Sequence, residues 1–146
     1  MRNGFSLITA IIFIVLVATL GALSLSLSTL TTKQTSDLYL KEQAELLARS
    51  GTEFALLAIS GHEINSTTGC LNQINAQYPN TTNPIFDINI SIQYLGSNLP
   101  AGCDQLGGDI STADSNLTVL VDTIVTTSTD ITTEPIRFHR RTLQKP

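Results

Sequence analysis

The pattern of apolar and polar positions divides the chain into a long helical part and a strand-rich part. Apolar residues dominate from Phe5 to about Leu30, and no residue from Gly4 to Thr32 carries a charge. A helix needs about 20 apolar residues to cross a bilayer. The pattern therefore predicts a transmembrane helix over residues 5–30.

A helical period continues beyond the uncharged run. Glu45 and Arg49 stand four residues apart, which favours an ion pair on one helix. Gly61 is a favourable stop for the helix, Ser and Thr side chains at 24–32 compete with helix hydrogen bonds, and Gly21 adds local flexibility. We expect one helix over about 5–60, with a possible bend at 21–32. Small and apolar residues at spacings of three and four predict its buried face: Leu40, Ala44, Leu47, Ala48, Gly51, Phe54, Ala55, Ala58 and Ile59.

After Gly61 the period changes from helical to alternating. Residues 86–94 place apolar side chains at every second position, which is typical of a strand with one dry face. Ile136 and Phe138 are the expected core residues of the last strand. The expected segments are loops at 61–84 and 96–115, a turn at 127–134, and strands at 86–94, 117–127 and 136–143.

The apolar faces of these strands need an apolar surface to pack against. The long helix is the large apolar surface that the chain offers. We therefore predict an α+β fold. In it, a long N-terminal α-helix packs on a small antiparallel β-sheet of three or four strands.

Cys70 and Cys103 are the two cysteines of the chain. Neither lies in a C-x-x-C motif or beside a cluster of metal-ligating residues. An even pair in a small exported domain favours a disulfide. Two free buried thiols are the alternative.

Charge is distributed unevenly. Between Phe54 and Ile136 there is no Lys or Arg, whereas the tail carries Arg137, Arg140, Arg141 and Lys145. A docking device between subunits is one interpretation. We favour the other, an acidic solvated surface with a basic edge strand that discourages unwanted pairing. The acidic balance and the few aromatic residues argue against nucleic-acid binding.

The junction Gly4-Phe5 separates a short leader from the uncharged run. A secretory signal has its cleavage site after the apolar stretch, whereas here the glycine precedes it. This arrangement resembles the N-terminus of type IV pilins and of the pseudopilins of type II secretion. The resemblance implies that a prepilin peptidase cuts after Gly4 and that Phe5 becomes the N-methylated first residue.

The family usually has Glu at the fifth mature position, which is Thr9 here. In the family that carboxylate is thought to meet the N-terminal amine of a neighbouring subunit during assembly. Some minor pilins and tip pseudopilins lack it. The resemblance therefore implies a minor subunit, although Thr9 as a merely tolerated polar residue remains open.

The resemblance also implies an organisation, a location and partners. Residues 1–4 are the leader, 5–30 the transmembrane and fibre-core helix, 31–60 its amphipathic continuation, and 61–146 an extracytoplasmic β-rich domain. The chain would sit in a bacterial inner membrane with this domain in the periplasm or in a fibre. Its partners would be other subunits through the helix, the prepilin peptidase and an inner-membrane assembly platform.

The alternative function is an unprocessed, signal-anchored extracytoplasmic binding protein. Neither function is enzymatic, and we expect no cofactor. His62 and His139 are isolated from any predicted nucleophile, and the chain has no P-loop or zinc motif.

Two kinds of site remain as hypotheses. Asp104, Asp109 and Asp114 share a glycine-containing loop and are weak calcium candidates, because Ca²⁺ takes oxygen ligands. Asn-x-Ser/Thr sequons begin at Asn65, Asn80, Asn89 and Asn116. Three of the four have an acid two residues before the asparagine, and this longer pattern is similar to the acceptor sequence of bacterial N-glycosylation systems. We expect glycans at Asn65 and Asn116 before Asn89.

Overall fold

The computed structural model describes residues 3–108, 117–132 and 134–146, with side chains described from Leu7 onward in the N-terminal helix. The chain divides into two compact units, Met1–Tyr39 and Leu40–Pro146. One helix, α1, spans Asn3–Gly61. The predicted end of the helix is confirmed, and its start lies two residues earlier than expected.

Through residues 21–32 of the first unit the helix is unbroken. The hydroxyls that predicted a possible bend there donate to carbonyls three or four residues earlier, as Ser24 does to Leu20 O at 3.0 Å and Thr31 to Leu27 O at 3.0 Å. The main chain keeps its helical pattern because these side chains share its acceptors rather than replace them.

Within the described residues of the second unit, five strands form one sheet. They are β1 (Gln73–Tyr78), β2 (Phe86–Gly96), β3 (Gln105–Gly107), β4 (Leu117–Thr127) and β5 (Arg137–Gln144). The antiparallel order is β1-β2-β4-β5, and the short β3 pairs with β2 in parallel. The α+β prediction is confirmed, whereas the count of three or four strands was too low.

The strands missing from the sequence prediction both lie on one edge of β2. β4 covers the whole of β2 on the other side, so β1 pairs beside residues 86–91 and β3 follows beside Tyr94 and Leu95. β1 alternates polar and apolar residues over only six positions and is almost wholly exposed, with Ile74 alone of its residues packed against the core. The predicted loops 61–84 and 96–115 were wrong at these two short stretches.

The core lies between the second part of α1 and the sheet. Ala44, Ala48, Ala55 and Ile59 are buried together with the alternating residues of β2 and β4. A Cβ at Gly51 would lie 3.3 Å from Thr123 Cγ2 and 3.4 Å from Ile90 Cδ1. Small side chains on this helix face therefore allow its backbone to approach the sheet closely.

Two predicted core positions differ from the structure. Phe54 is 55% exposed, because it lies beside the buried stripe and not within it. Ile136 is only partly buried and precedes β5, whereas Phe138 packs against the core as expected.

Candidate functional site: an exposed apolar helix segment

The surface of α1 from Leu7 to Leu30 is the most unusual feature of the described chain. Its large apolar side chains are 52–72% exposed, and the helix is long and apolar enough to cross a membrane. Soluble monomers rarely expose contiguous apolar patches beyond a few hundred Å². Lipid or other apolar helices are the surroundings that such a surface favours.

Polar groups within this segment are satisfied locally. Thr19 donates to Leu16 O at 2.9 Å, and Thr29 donates to Ser26 O at 2.8 Å. A hydroxyl that already donates within its own helix costs less to transfer from water into an apolar environment. The segment therefore presents an apolar surface despite its Ser and Thr content.

The residues predicted for processing lie at the start of this helix. Gly4 and Phe5 are in the first turn, and Thr9 follows on the exposed helix. Ala10, Ala18 and Gly21 provide small positions, and a Cβ at Gly21 would have nothing within 4 Å. Such positions let another helix approach closely in a membrane.

A disulfide joins Cys70 to Cys103, with Cα atoms 4.9 Å apart, which confirms the predicted pair. Asn72 reinforces the link by donating to Gly102 O at 2.7 Å and accepting from Asp104 N at 3.1 Å. Sequence reasoning missed Asn72, because an isolated asparagine in a loop has no characteristic pattern.

Tyr94 extends this link into the core. Its ring is fully buried, and its hydroxyl donates to Leu71 O at 2.8 Å. Burial raises the pKa of Tyr94 above its ordinary value. The hydroxyl therefore remains a donor at neutral pH.

The basic edge predicted from the tail is β5. On the sheet face turned away from α1, Asp122 accepts from Arg141 at 2.6 and 3.0 Å and contacts His139 Nε2. Burial alone would raise the pKa of Asp122, but the hydrogen bonds and charges of Arg141 and His139 outweigh it and hold the pKa below its ordinary value. Asp122 on β4 is paired directly with Arg141 on β5, and His139 lies two residues further along β5, opposite Ile124. The cluster therefore joins the two strands.

The remaining polar candidates do not converge. His62 Nε2 lies 3.2 Å from Gly69 O, in a different segment from His139. Asp104 accepts from Gln93 at 3.3 Å, whereas Asp109 and Asp114 lie outside the described residues. Among residues 3–108, 117–132 and 134–146, no group of three or more His, Cys, Asp or Glu side chains could hold a metal ion.

The sequons lie in three different settings. Asn65 and Asn80 are exposed in turns, and Asn89 lies in the middle of β2. Asn116 lies outside the described residues.

Comparison with protein families, with characterised proteins and with solved structures finds no match for this chain.

Proposed function

We propose that this chain is a minor pilin or pseudopilin, a structural subunit of a type IV pilus-like or type II secretion-like fibre. The observation that carries the proposal is an uncharged helix segment that begins directly after Gly4 and whose large apolar side chains from Leu7 to Leu30 are exposed. A cut after that glycine would leave the whole apolar segment on the mature protein. The proposed role is structural and requires no catalysis.

One apolar surface would serve two environments. In the membrane, the segment from Leu7 to Leu30 would contact lipid tails. In the fibre it would contact the same segment of neighbouring subunits. Association of helices in a membrane relies on close packing of small residues, and Ala10, Ala18 and Gly21 provide such residues among the large apolar side chains.

The proposal includes location and partners. The precursor would be a single-pass protein of a bacterial inner membrane, with the domain from residue 61 onward outside the cytoplasm. A disulfide between Cys70 and Cys103 agrees with an oxidising compartment. A prepilin peptidase and an inner-membrane assembly platform would act on the helix, and other subunits would pack against it.

Thr9 supports a minor role. A carboxylate in lipid is costly unless it is paired, and a fibre built mainly of this chain would lack the family's charge pair at that position. A subunit needed in few copies, such as one at a fibre tip, does not need to repeat that pair.

Cross-linking tests whether the helix segment meets other subunits. Ala18→Cys in the full chain, expressed in its own cells and oxidised, should form disulfide-linked adducts with cysteines placed in the helices of partner subunits. Ser97→Cys, in the exposed turn after β2, is the matched control and should form none with those helices. Adduct formation that persists unchanged when the prepilin peptidase is deleted would contradict assembly of a processed subunit.

A further inference from the structure

The loop that follows α1 presents one of the sequons in an accessible turn. Asn65 and Gly69 form an isolated antiparallel bridge, in which Gly69 N donates to Asn65 O at 2.8 Å. Gly69 has a φ of +67°, which glycine adopts without a steric penalty. The turn therefore holds residues 65–69 on the surface and outside the sheet.

The side chain of Asn65 has a defined orientation within this turn. Its Oδ1 accepts from the main-chain N–H groups of Thr67 and Thr68, both at 2.8 Å. Two N–H donors point at this atom, so it is the amide oxygen, and the other terminal atom of the side chain is the nitrogen Nδ2. Within the described part of the chain no hydrogen bond is recorded from Nδ2, and the residue is exposed.

Glu63 stands two residues before this asparagine. The hydroxyl of Thr68 donates to Glu63 O, so the segment that contains Glu63 is tied to the turn. The carboxylate is exposed. The acid Glu63 thus directly precedes a surface turn that carries the asparagine Asn65 and the hydroxyl of Thr67.

Asn89 has the same sequence pattern but a different environment. It lies in the middle of β2, paired with Asn75 on one side and Ile124 on the other. Its Nδ2 donates to Asn75 Oδ1 at 2.6 Å. A transferase would have to open the sheet to reach this nitrogen.

Asn80 supplies the converse comparison. Its Oδ1 accepts from Thr82 N at 3.1 Å and Asn83 N at 2.9 Å, the same turn geometry as at Asn65. The residue two positions earlier is Tyr78 instead of an acid, and Pro79 directly precedes the asparagine where Ile64 precedes Asn65. Asn65 alone among the described sequons combines the open turn with the acid.

We propose that Asn65 is an N-glycosylation site and that Asn89 and Asn80 are not modified. The donor would be an oligosaccharide linked to a polyprenyl diphosphate, and the enzyme would be an oligosaccharyltransferase that reads an acid two residues before the asparagine. Nδ2 attacks the anomeric carbon and forms the C–N bond. The bond from that carbon to the diphosphate oxygen breaks, polyprenyl diphosphate leaves with the electron pair, and the amide proton passes to a carboxylate of the enzyme.

The experiment uses the full chain, exported in a bacterial host that carries such a transferase and its lipid-linked donor. A second copy of residues 63–67 is appended after Pro146 as a flexible internal acceptor. Glycopeptide mass spectrometry then measures the occupied fraction at Asn65, Asn80, Asn89 and the tail. The variants are Glu63→Gln, Thr67→Val and the double variant Tyr78→Glu with Pro79→Ile.

We expect glycan at Asn65 and at the tail, and none at Asn89 or Asn80. Glu63→Gln and Thr67→Val should abolish occupancy at Asn65 while the tail stays occupied. The double variant Tyr78→Glu with Pro79→Ile should create a new occupied site at Asn80, because it gives that turn the acid and the non-proline residue that precede Asn65.

An occupied tail with an empty Asn65 would show that the folded turn is not an acceptor and would overturn the proposal. Unmodified asparagines at both places would show that the pattern itself is not read, with the same consequence. Neither result depends on cleavage after Gly4, so this proposal and the fibre-subunit proposal can fail separately.

Discussion

The hydroxyls of Thr52 on α1 and Thr123 on β4 lie 3.2 Å apart in the buried interface between helix and sheet. Thr52 also lies 2.8 Å from Ala48 O, to which it donates. Because its single proton is used there, Thr123 is the donor to Thr52. Both residues are almost completely buried, at 3% and 0% exposure, so the pair is a polar link within an apolar core.

Replacing Thr52 by Val should therefore destabilise the fold by about 1–3 kcal/mol, because the buried Thr123 hydroxyl loses its acceptor. Urea unfolding of the detergent-solubilised full chain, followed by near-ultraviolet signals of the buried Tyr94, measures the loss. The double variant Thr52→Val with Thr123→Val should cost less than the sum of the two single variants. Additive costs would show that the two hydroxyls act independently.

Gly51→Val should destabilise the domain by about 1–3 kcal/mol, because a branched side chain overpacks the interface with Thr123 and Ile90. Ser50→Val is the matched control. It adds a similar side chain at an exposed position one residue earlier and should change stability little. Equal effects in the same urea titration would contradict close packing at residue 51, because helix propensity alone favours Val over Gly.

Loss of the disulfide should lower the free energy of unfolding by about 3–4 kcal/mol, because the loop between Cys70 and Cys103 is then unconstrained in the unfolded chain. The paired variant Cys70→Ser with Cys103→Ser measures this. Reductant should bring the unsubstituted protein to the stability of the variant and leave the variant unchanged. A variant as stable as the oxidised protein would contradict a structural role for the bridge.

Stability should also fall in acid through Asp122. Its pKa is below the ordinary Asp value of about 3.9 when folded. The stabilisation is therefore complete above that value and is lost as the pH falls through the lower, folded pKa. Asp122→Asn should remove this part of the acid sensitivity, measured as the midpoint of urea unfolding against pH.

The control for this acid effect is Asp130→Asn, a change at an exposed carboxylate for which no partner is recorded among the described residues. It should leave the pH profile as it is. An unchanged profile in Asp122→Asn would contradict the assignment to the cluster with Arg141 and His139.

The helix and strands that bury one face over several helical turns, or over several residue pairs of a strand, were predictable from the sequence. The alternation from Phe86 to Tyr94 predicted β2, and the period of small residues on α1 predicted the face that packs on the sheet. Edge strands do not need a dry face, so β1 and β3 were missed. Phe54 shows the same limit on the helix, since a large apolar residue next to a buried stripe follows the period without being buried.

The candidate sites were predictable to different degrees. The disulfide followed from counting cysteines, whereas its support by Asn72 depends on where two loops meet in space. As sequence motifs, the four sequons were distinguished by whether an acid stands two residues before the asparagine. The sequence already placed Asn89 in a strand, but only the turn around Asn65 and the bond from Asn89 to Asn75 separate an exposed amide from one held in the sheet.

The mass of the N-terminal peptide from membrane-extracted protein of native cells tests the central claim most directly. The account predicts a chain that begins at an N-methylated Phe5, and a chain that keeps residues 1–4 when the prepilin peptidase is deleted or when Gly4 is replaced by Val. A native chain that still begins at Met1 with the peptidase present would contradict it. That result would favour the alternative of an unprocessed, signal-anchored extracytoplasmic binding protein.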